Sequence, residues 1–303
     1  MWISLFAQVS VDRALVDTTP NCGNILAGVG PFAIERSLVP ASNPVTRVRV
    51  RTLNTGTLGE LVVSTPDCRV NYEGCEGIAD VAGTAAGIPI NFRDAEGSVC
   101  GSLFPTGRAV DVIQGVEATC MDNGMPVVIL HASDFRFDGE ESPANIEAAT
   151  TALQRIEACA VRPLNAGHGR CQRCCPAQGL AHLPGEKRRR DPYPQSDPRR
   201  CHSSIGVFAA VSVATVCVAT ESWAHRIARL PEDNIKRLKI EHNSGEFEVR
   251  LEVGGDAAYP TVERAGLVRT ARALFDGSRP SLSIRYSMNI TCCRSTICRC
   301  WWA

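Results

Sequence analysis

Neither sign of charge dominates this sequence: 32 lysines and arginines stand against 32 aspartates and glutamates, a formal net charge of zero over 303 residues. That balance provides no long-range field to draw in nucleic acid or an anionic membrane surface, so a small-molecule site is the better default. The start, Met1-Trp2-Ile3-Ser4-Leu5-Phe6, has no basic n-region and soon meets Asp12 and Arg13, so it does not read as an export signal. No apolar run reaches the roughly 20 residues of a bilayer span. The longest, Ile205 to Ala219, includes Ser212 and Thr215 and suits a buried helix instead. A glycine-rich phosphate loop with a following lysine is also absent. Gly28-x-Gly30 falls inside a helical pattern rather than after a strand, which leaves a dinucleotide site unsupported.

Cysteine, by contrast, is abundant, with 15 residues. In a short secreted chain they would suggest a disulfide scaffold; scattered through a long mixed sequence without an export signal, they indicate a reduced, cytoplasmic protein. Cys171, Cys174 and Cys175 with His168 and His182 are zinc-type ligands, but four of them at knuckle spacing are not evident, so no metal is expected. The run Lys187-Arg188-Arg189-Arg190 could form a nucleic-acid patch, although a solvated linker accounts for it more simply.

Along the chain, Ile3, Leu5, Ala7, Val9 and Val11 alternate as the inward face of a half-buried strand. A helix follows from about Gly23 to Arg36, with Ile25, Leu26, Val29, Phe32 and Ala33 inward and a kink at Pro31. Short strands fill Val45 to Leu130, among them Val45 to Leu53, Leu58 to Ser64, and the pair Val110 to Gln114 and Val116 to Cys120 around Gly115. Ser142-Pro143 reads as the cap and first position of a helix reaching about Ala160. Cys201-His202-Ser203-Ser204 opens a helix to about Val218, and Phe247, Val249, Leu251 and Val253 alternate with charged residues as an amphipathic strand. The expected organisation is an N-terminal half (1–140), a connecting helix (141–161), an irregular segment (162–199), a C-terminal half (200–277) and an aberrant tail (278–303). Each half would contain an apolar helix, and two facing halves would bring the two helix starts to one cleft.

At the first of those helix starts stands Cys22. Free N–H groups and the positive end of the helix dipole favour an anion there, so the thiol is expected to ionise more easily than usual and could take or return a carbon-bound proton. The next amides, of Gly23 and Asn24, could hold a carboxylate or a growing enolate, and Gly23 permits close approach. The alternative is an inert cysteine at a turn.

The residues Asp17-Thr18-Thr19-Pro20-Asn21-Cys22-Gly23-Asn24-Ile25-Leu26-Ala27-Gly28-Val29-Gly30-Pro31-Phe32-Ala33-Ile34-Glu35-Arg36 resemble the signature of the PrpF-like isomerases. Pro105-Thr106-Gly107, the stretch Val110 to Glu117, Asp122-Asn123-Gly124-Met125-Pro126 and Arg200-Cys201-His202-Ser203-Ser204 extend the resemblance. The family's members act on small unsaturated polycarboxylic acids such as 4-oxalomesaconate and 2-methylaconitate, and the Asp-Thr-Thr-Pro lead-in looks more like the tautomerase branch. The resemblance implies an α/β, diaminopimelate-epimerase-like fold of two pseudo-symmetric halves, a 1,3-proton shift, and no metal or organic cofactor. It implies a small tricarboxylic or keto acid as partner, neither nucleic acid nor membrane, and leaves a homodimer open.

Matched position by position, Cys22 is the catalytic residue. Asn21, Gly23 and Asn24 surround it, and Asn123, Arg200, His202, Ser203 and Ser204 line the opposite wall as substrate-binding residues. Arg200 would pair with a carboxylate, or be a surface arginine; His202, Ser203 and Ser204 would touch substrate, or cap a helix. Two departures stand out. The family's second proton-transfer residue is a lysine upstream of the opening strand, and no lysine occurs here before Lys187, so the first half is expected to be incomplete. The Arg, Pro and Cys-rich stretch 162–199, and the tail after Gly277, have the composition an out-of-frame reading of GC-rich coding sequence would give. A catalytically inactive remnant, or a metal-binding or interaction protein, is the alternative of another class.

Overall fold

The computed structural model describes residues 1–9, 14–18, 21–79, 81–139, 141–166, 178–181, 193–194, 201–202, 205–242, 245–278 and 297–302. The first part holds β1 (Trp2–Ser4), β2 (Gln8–Val9), β3 (Val16–Asp17), α1 (Gly23–Glu35), β4 (Val45–Thr52), β5 (Leu58–Ser64) and β6 (Ile88–Arg93). Then come β7 (Asp111–Ile113), β8 (Val116–Asp122), β9 (Pro126–Leu130), α2 (Pro143–Ala148), α3 (Thr150–Ala166), β10 (Gln178–Ala181), β11 (Tyr193–Pro194) and β12 (Cys201–His202). The rest comprises α4 (Val207–Val218), α5 (Trp223–Ile227), β13 (Ile235–His242), β14 (Gly245–Gly255), β15 (Pro260–Arg269), β16 (Arg272–Ser278) and β17 (Ile297–Trp302).

Period-two alternation sets the main sheet. In β4 the residues Thr46, Val48, Val50 and Thr52 are buried while Arg47, Arg49 and Arg51 face water. The strands assemble in the order β1-β4-β5-β6-β15-β14-β13, so the antiparallel pairing of β6 with β15 joins the early and late strands in one sheet. A second sheet runs β10-β9-β8-β7.

Between the two sheets lies α4, touching β8 and β9 on one side and β13, β14 and β15 on the other. A helix apolar all round must be buried, and 11 of its 12 residues are. Its two buried hydroxyls are satisfied: Ser212 Oγ donates to the Met125 carbonyl at 2.6 Å and Thr215 Oγ1 to the Val211 carbonyl at 2.8 Å. Phe208 of α4 meets Phe92 of β6 with ring centroids 4.6 Å apart. Among the described residues, no helix is long and apolar enough to cross a membrane.

Several expectations need correction. The opening strand has the alternation but the opposite face: Ile3, Leu5 and Val9 are 55–62% exposed, whereas Trp2 packs on the core, because parallel pairing with β4 sets Trp2 beside Val50. Ile25 is exposed. The Ser142 cap is present, accepting the Asn145 N–H, but the helix breaks at Ala149 and resumes to Ala166. Strand β10, parallel to β9, lies in the segment expected to be irregular. The helix expected from Cys201 starts at Val207 with Gly206 as its cap; Cys201–His202 is instead a strand paired with Tyr193–Pro194.

Candidate active site

Cys22 has φ −126° and ψ 104°, and its carbonyl accepts the first helical bond from Leu26 N–H at 3.1 Å. The backbone N–H groups of Ile25 and Asn24 approach the half-buried thiol and favour the thiolate, without closing a cap hydrogen bond to it. Burial outweighs them and pushes the thiol above its ordinary value, so the expectation of easier ionisation is corrected: at rest Cys22 carries its proton.

The two helix starts do meet. A Cβ on Gly23 would lie 2.4 Å from Val207 Cγ1 and 2.5 Å from Val207 Cβ, so only glycine lets the first turn of α1 rest on the first residue of α4. Gly23→Ala is therefore expected to lower stability by about 1–3 kcal/mol through overpacking, read from urea denaturation midpoints. Asn21 anchors the lead-in, donating through Nδ2 to Thr52 Oγ1 at 3.2 Å and to Thr55 Oγ1.

Asn24, one residue into the helix, accepts a hydrogen bond at 2.9 Å from Nε of Arg269, the last residue of β15. The guanidinium lies over the Phe247 ring, 3.7 Å from its centroid, and Nη1 donates to the Val268 carbonyl at 3.0 Å. Asn24, Phe247 and Arg269 line a cleft of about 570 Å³ whose wall also carries Arg237, Lys239 and Arg250 together with Glu76, Glu246 and Glu248.

Asn123 takes a different place from the one expected. It is 1% exposed, its backbone N–H donates to Ser212 Oγ at 3.0 Å and its Nδ2 to Thr215 Oγ1 at 2.9 Å. These bonds tie the β8–β9 turn to α4. Arg200, Ser203 and Ser204 lie outside the described residues, and of His202 only the backbone, in β12, is described. His168, Cys171, Cys174, Cys175, His182 and the basic run 187–190 lie outside them too. Among the described residues no three His, Cys, Asp or Glu side chains are grouped to hold a metal ion.

With this geometry in place, a model of the PrpF protein family matches residues 3–182 and 195–280. The chain belongs to the PrpF family. The 4-oxalomesaconate tautomerase of Pseudomonas putida is 45% identical over 279 residues, 90% of this chain and 75% of that protein. The (4E)-oxalomesaconate Delta-isomerase of a Novosphingobium species is also 45% identical over 279 residues, 90% of this chain and 76% of that one. A crystal structure of methylitaconate-delta-isomerase superposes with a TM-score of 0.72 at 25% identity, covering 91% of this chain and 76% of that one. This PrpF chain is thus an isomerase with the α/β, diaminopimelate-epimerase-like fold expected from its sequence.

Sequence reasoning missed two residues of the PrpF chain. Arg269 carried a signal: it continues the inward series Ala265, Leu267, and a charge on the apolar face of a strand calls for a partner. Asp122, fully buried beside Asn123, accepts the Val99 and Cys100 N–H groups at 2.8 and 2.6 Å, yet burial still raises its carboxyl to about 6. Because the folded value exceeds the unfolded one, near 4, this group's contribution is fully present below pH 4 and lost as pH climbs through about 6. Asp122→Asn keeps an acceptor for both amides. It is expected to raise stability by about 1–3 kcal/mol at pH 7.5 and to change little at pH 4, compared by urea unfolding at the two pH values.

Proposed function

We propose that this chain is a cofactor-independent isomerase that moves a proton across a three-atom frame of an unsaturated polycarboxylic acid, and that 4-oxalomesaconate is its substrate. The observation that carries the reading is the position of Cys22: a half-buried thiol at the cap position of α1, its sulfur facing two amides, with Asn24 on the same turn holding a buried arginine at the edge of a cleft. The names of the relatives at 45% identity support the choice of acid.

Burial keeps the proton on sulfur, so the step Cys22 is prepared for is donation to carbon. The thiolate left behind is stabilised where it forms, by the Asn24 and Ile25 N–H groups and the helix dipole. Before that, the proton at the other end of the frame passes to solvent, since no lysine precedes Lys187 to take it, and the electron pair moves into the conjugated carboxylate or carbonyl, giving an enolate that Arg269 and the α1 start favour. The carbon skeleton is unchanged and one proton is exchanged, consistent with a reaction needing neither metal nor organic cofactor. The free thiols of the described residues suit a reducing cytoplasm, and the acid suits the degradation of aromatic compounds.

Ultraviolet absorbance with 4-oxalomesaconate and with 2-methylaconitate tests the reading. Turnover is expected on the first, with kcat/KM at least about tenfold above the second, a difference of about 1.4 kcal/mol in transition-state binding. The reverse ranking would make the chain a 2-methylaconitate cis-trans isomerase, a relative of which is 35% identical over 168 residues. No turnover of either would favour an inactive remnant.

A further inference from the structure

Arg269 is an arginine in a hydrophobic position. It follows Ala265 and Leu267 on the inner face of β15, pairs across the sheet with Ile88 of β6, and is 7% exposed. Burying a charge there is costly unless it is paired. Among the described residues no carboxylate forms an ion pair with it: the described pairs join Arg47 and Arg49 to Glu60, Lys239 to Glu246, and Arg250 and Arg264 to Glu252. Its protein acceptors are the Asn24 side chain and the Val268 carbonyl, both neutral, and the Phe247 ring supports one flat face. A guanidinium has five N–H donors in one plane. Two are taken, and the group lines the cleft. Desolvation lowers its pKa only to about 10, so it remains cationic at neutral pH.

We infer that Arg269 is the carboxylate anchor of the substrate, holding one carboxylate of a polycarboxylic acid against the first turn of α1 through its open guanidinium edge. This rests on the isomerase reading of the same site and deepens it. Asn24 fixes the fork by its Nε, Phe247 fixes its plane, and the cleft brings a carboxylate bound there to the turn that Cys22 caps. Arg237, Lys239 and Arg250 also line the cleft but stand on the solvent face of the sheet, interleaved with Glu246 and Glu248, so the cation beside the α1 start is Arg269. The geometry makes Arg269 a determinant of carboxylate recognition at the start of α1.

The test titrates tricarballylate, a saturated tricarboxylate that cannot isomerise, into the wild-type chain and the variants Arg269→Gln, Arg269→Lys and Asn24→Asp by calorimetry, alongside KM and kcat on 4-oxalomesaconate. Arg269→Gln is expected to weaken binding about 100-fold, and Arg269→Lys, which keeps the charge without the two-pronged fork, about tenfold. KM should rise more than kcat falls. Asn24→Asp leaves the guanidinium in place and offers it an internal carboxylate at the present 2.9 Å contact. It should stabilise the fold and still weaken tricarballylate by about tenfold or more, a loss that a merely structural arginine would not produce.

If Arg269→Gln does not fold, Asn24→Asp decides alone. Wild-type affinity in either folded variant overturns the anchor, as does an absence of tricarballylate binding by the wild type, or phosphate binding equally well. Arg269-dependent binding without turnover of any unsaturated acid would remove the isomerase reading and leave the anchor standing. Turnover with KM unchanged in the variants would do the opposite.

Discussion

Cys22→Ala is expected to lower turnover of 4-oxalomesaconate by about a thousandfold, the usual loss when a positioned general acid is removed, while stability changes by no more than about 1 kcal/mol. The second half follows from the site: the thiol is half-buried and the side chain makes no cap hydrogen bond of its own, so α1 does not depend on it. Cys22→Ser separates acid strength from shape, because it keeps the volume but replaces a thiol by a far weaker acid. It should lose at least about a hundredfold. Activity should also persist at alkaline pH beyond about 8.5, where an ordinary thiol ionises, because burial raises the Cys22 value and the protonated form is the one used. A fall beginning near pH 7 would indicate another group.

Gly124→Ala is expected to cost about 3 kcal/mol. Gly124 has φ +94°, a conformation that L side chains rarely adopt, and a Cβ there would lie 2.3 Å from Phe208 Cδ1. Strain and overpacking therefore act at one residue. The loss should reach activity as well, since the same turn carries Asn123, whose two hydrogen bonds hold α4 and, through Val207, the start of α1. Denaturation midpoints and kcat/KM measured on the same preparation would show both. A variant with wild-type stability would mean that the turn relaxes freely.

How far the sequence shows these features depends on whether their cause is local. The amphipathic strands at Val45–Thr52 and Gly245–Gly255 were legible because alternation is a local pattern fixed by the pleat. The all-apolar stretch that became α4 was legible as buried. The face of the opening strand was not, because Trp2 against Val50 in a neighbouring strand decides it, and no local pattern encodes that pairing. Cys22 was located by its motif, but its protonation depends on burial by distant residues, and the dipole argument alone gave the wrong sign. Arg269 lies 245 positions from Asn24, and only the folded chain brings them together. Asn123 was expected on a substrate wall, and its bonds to Ser212 and Thr215, 89 and 92 positions away, were not legible because only the fold brings them together.

Proton exchange with solvent tests the role of Cys22 most directly. In deuterated water, proton NMR of 4-oxalomesaconate incubated with the wild-type chain should show deuterium entering at the isomerising carbon, and the Cys22→Ala chain, folded by circular dichroism, should leave that carbon protonated over the same interval. Equal deuterium incorporation by the two chains would contradict a proton transfer through Cys22.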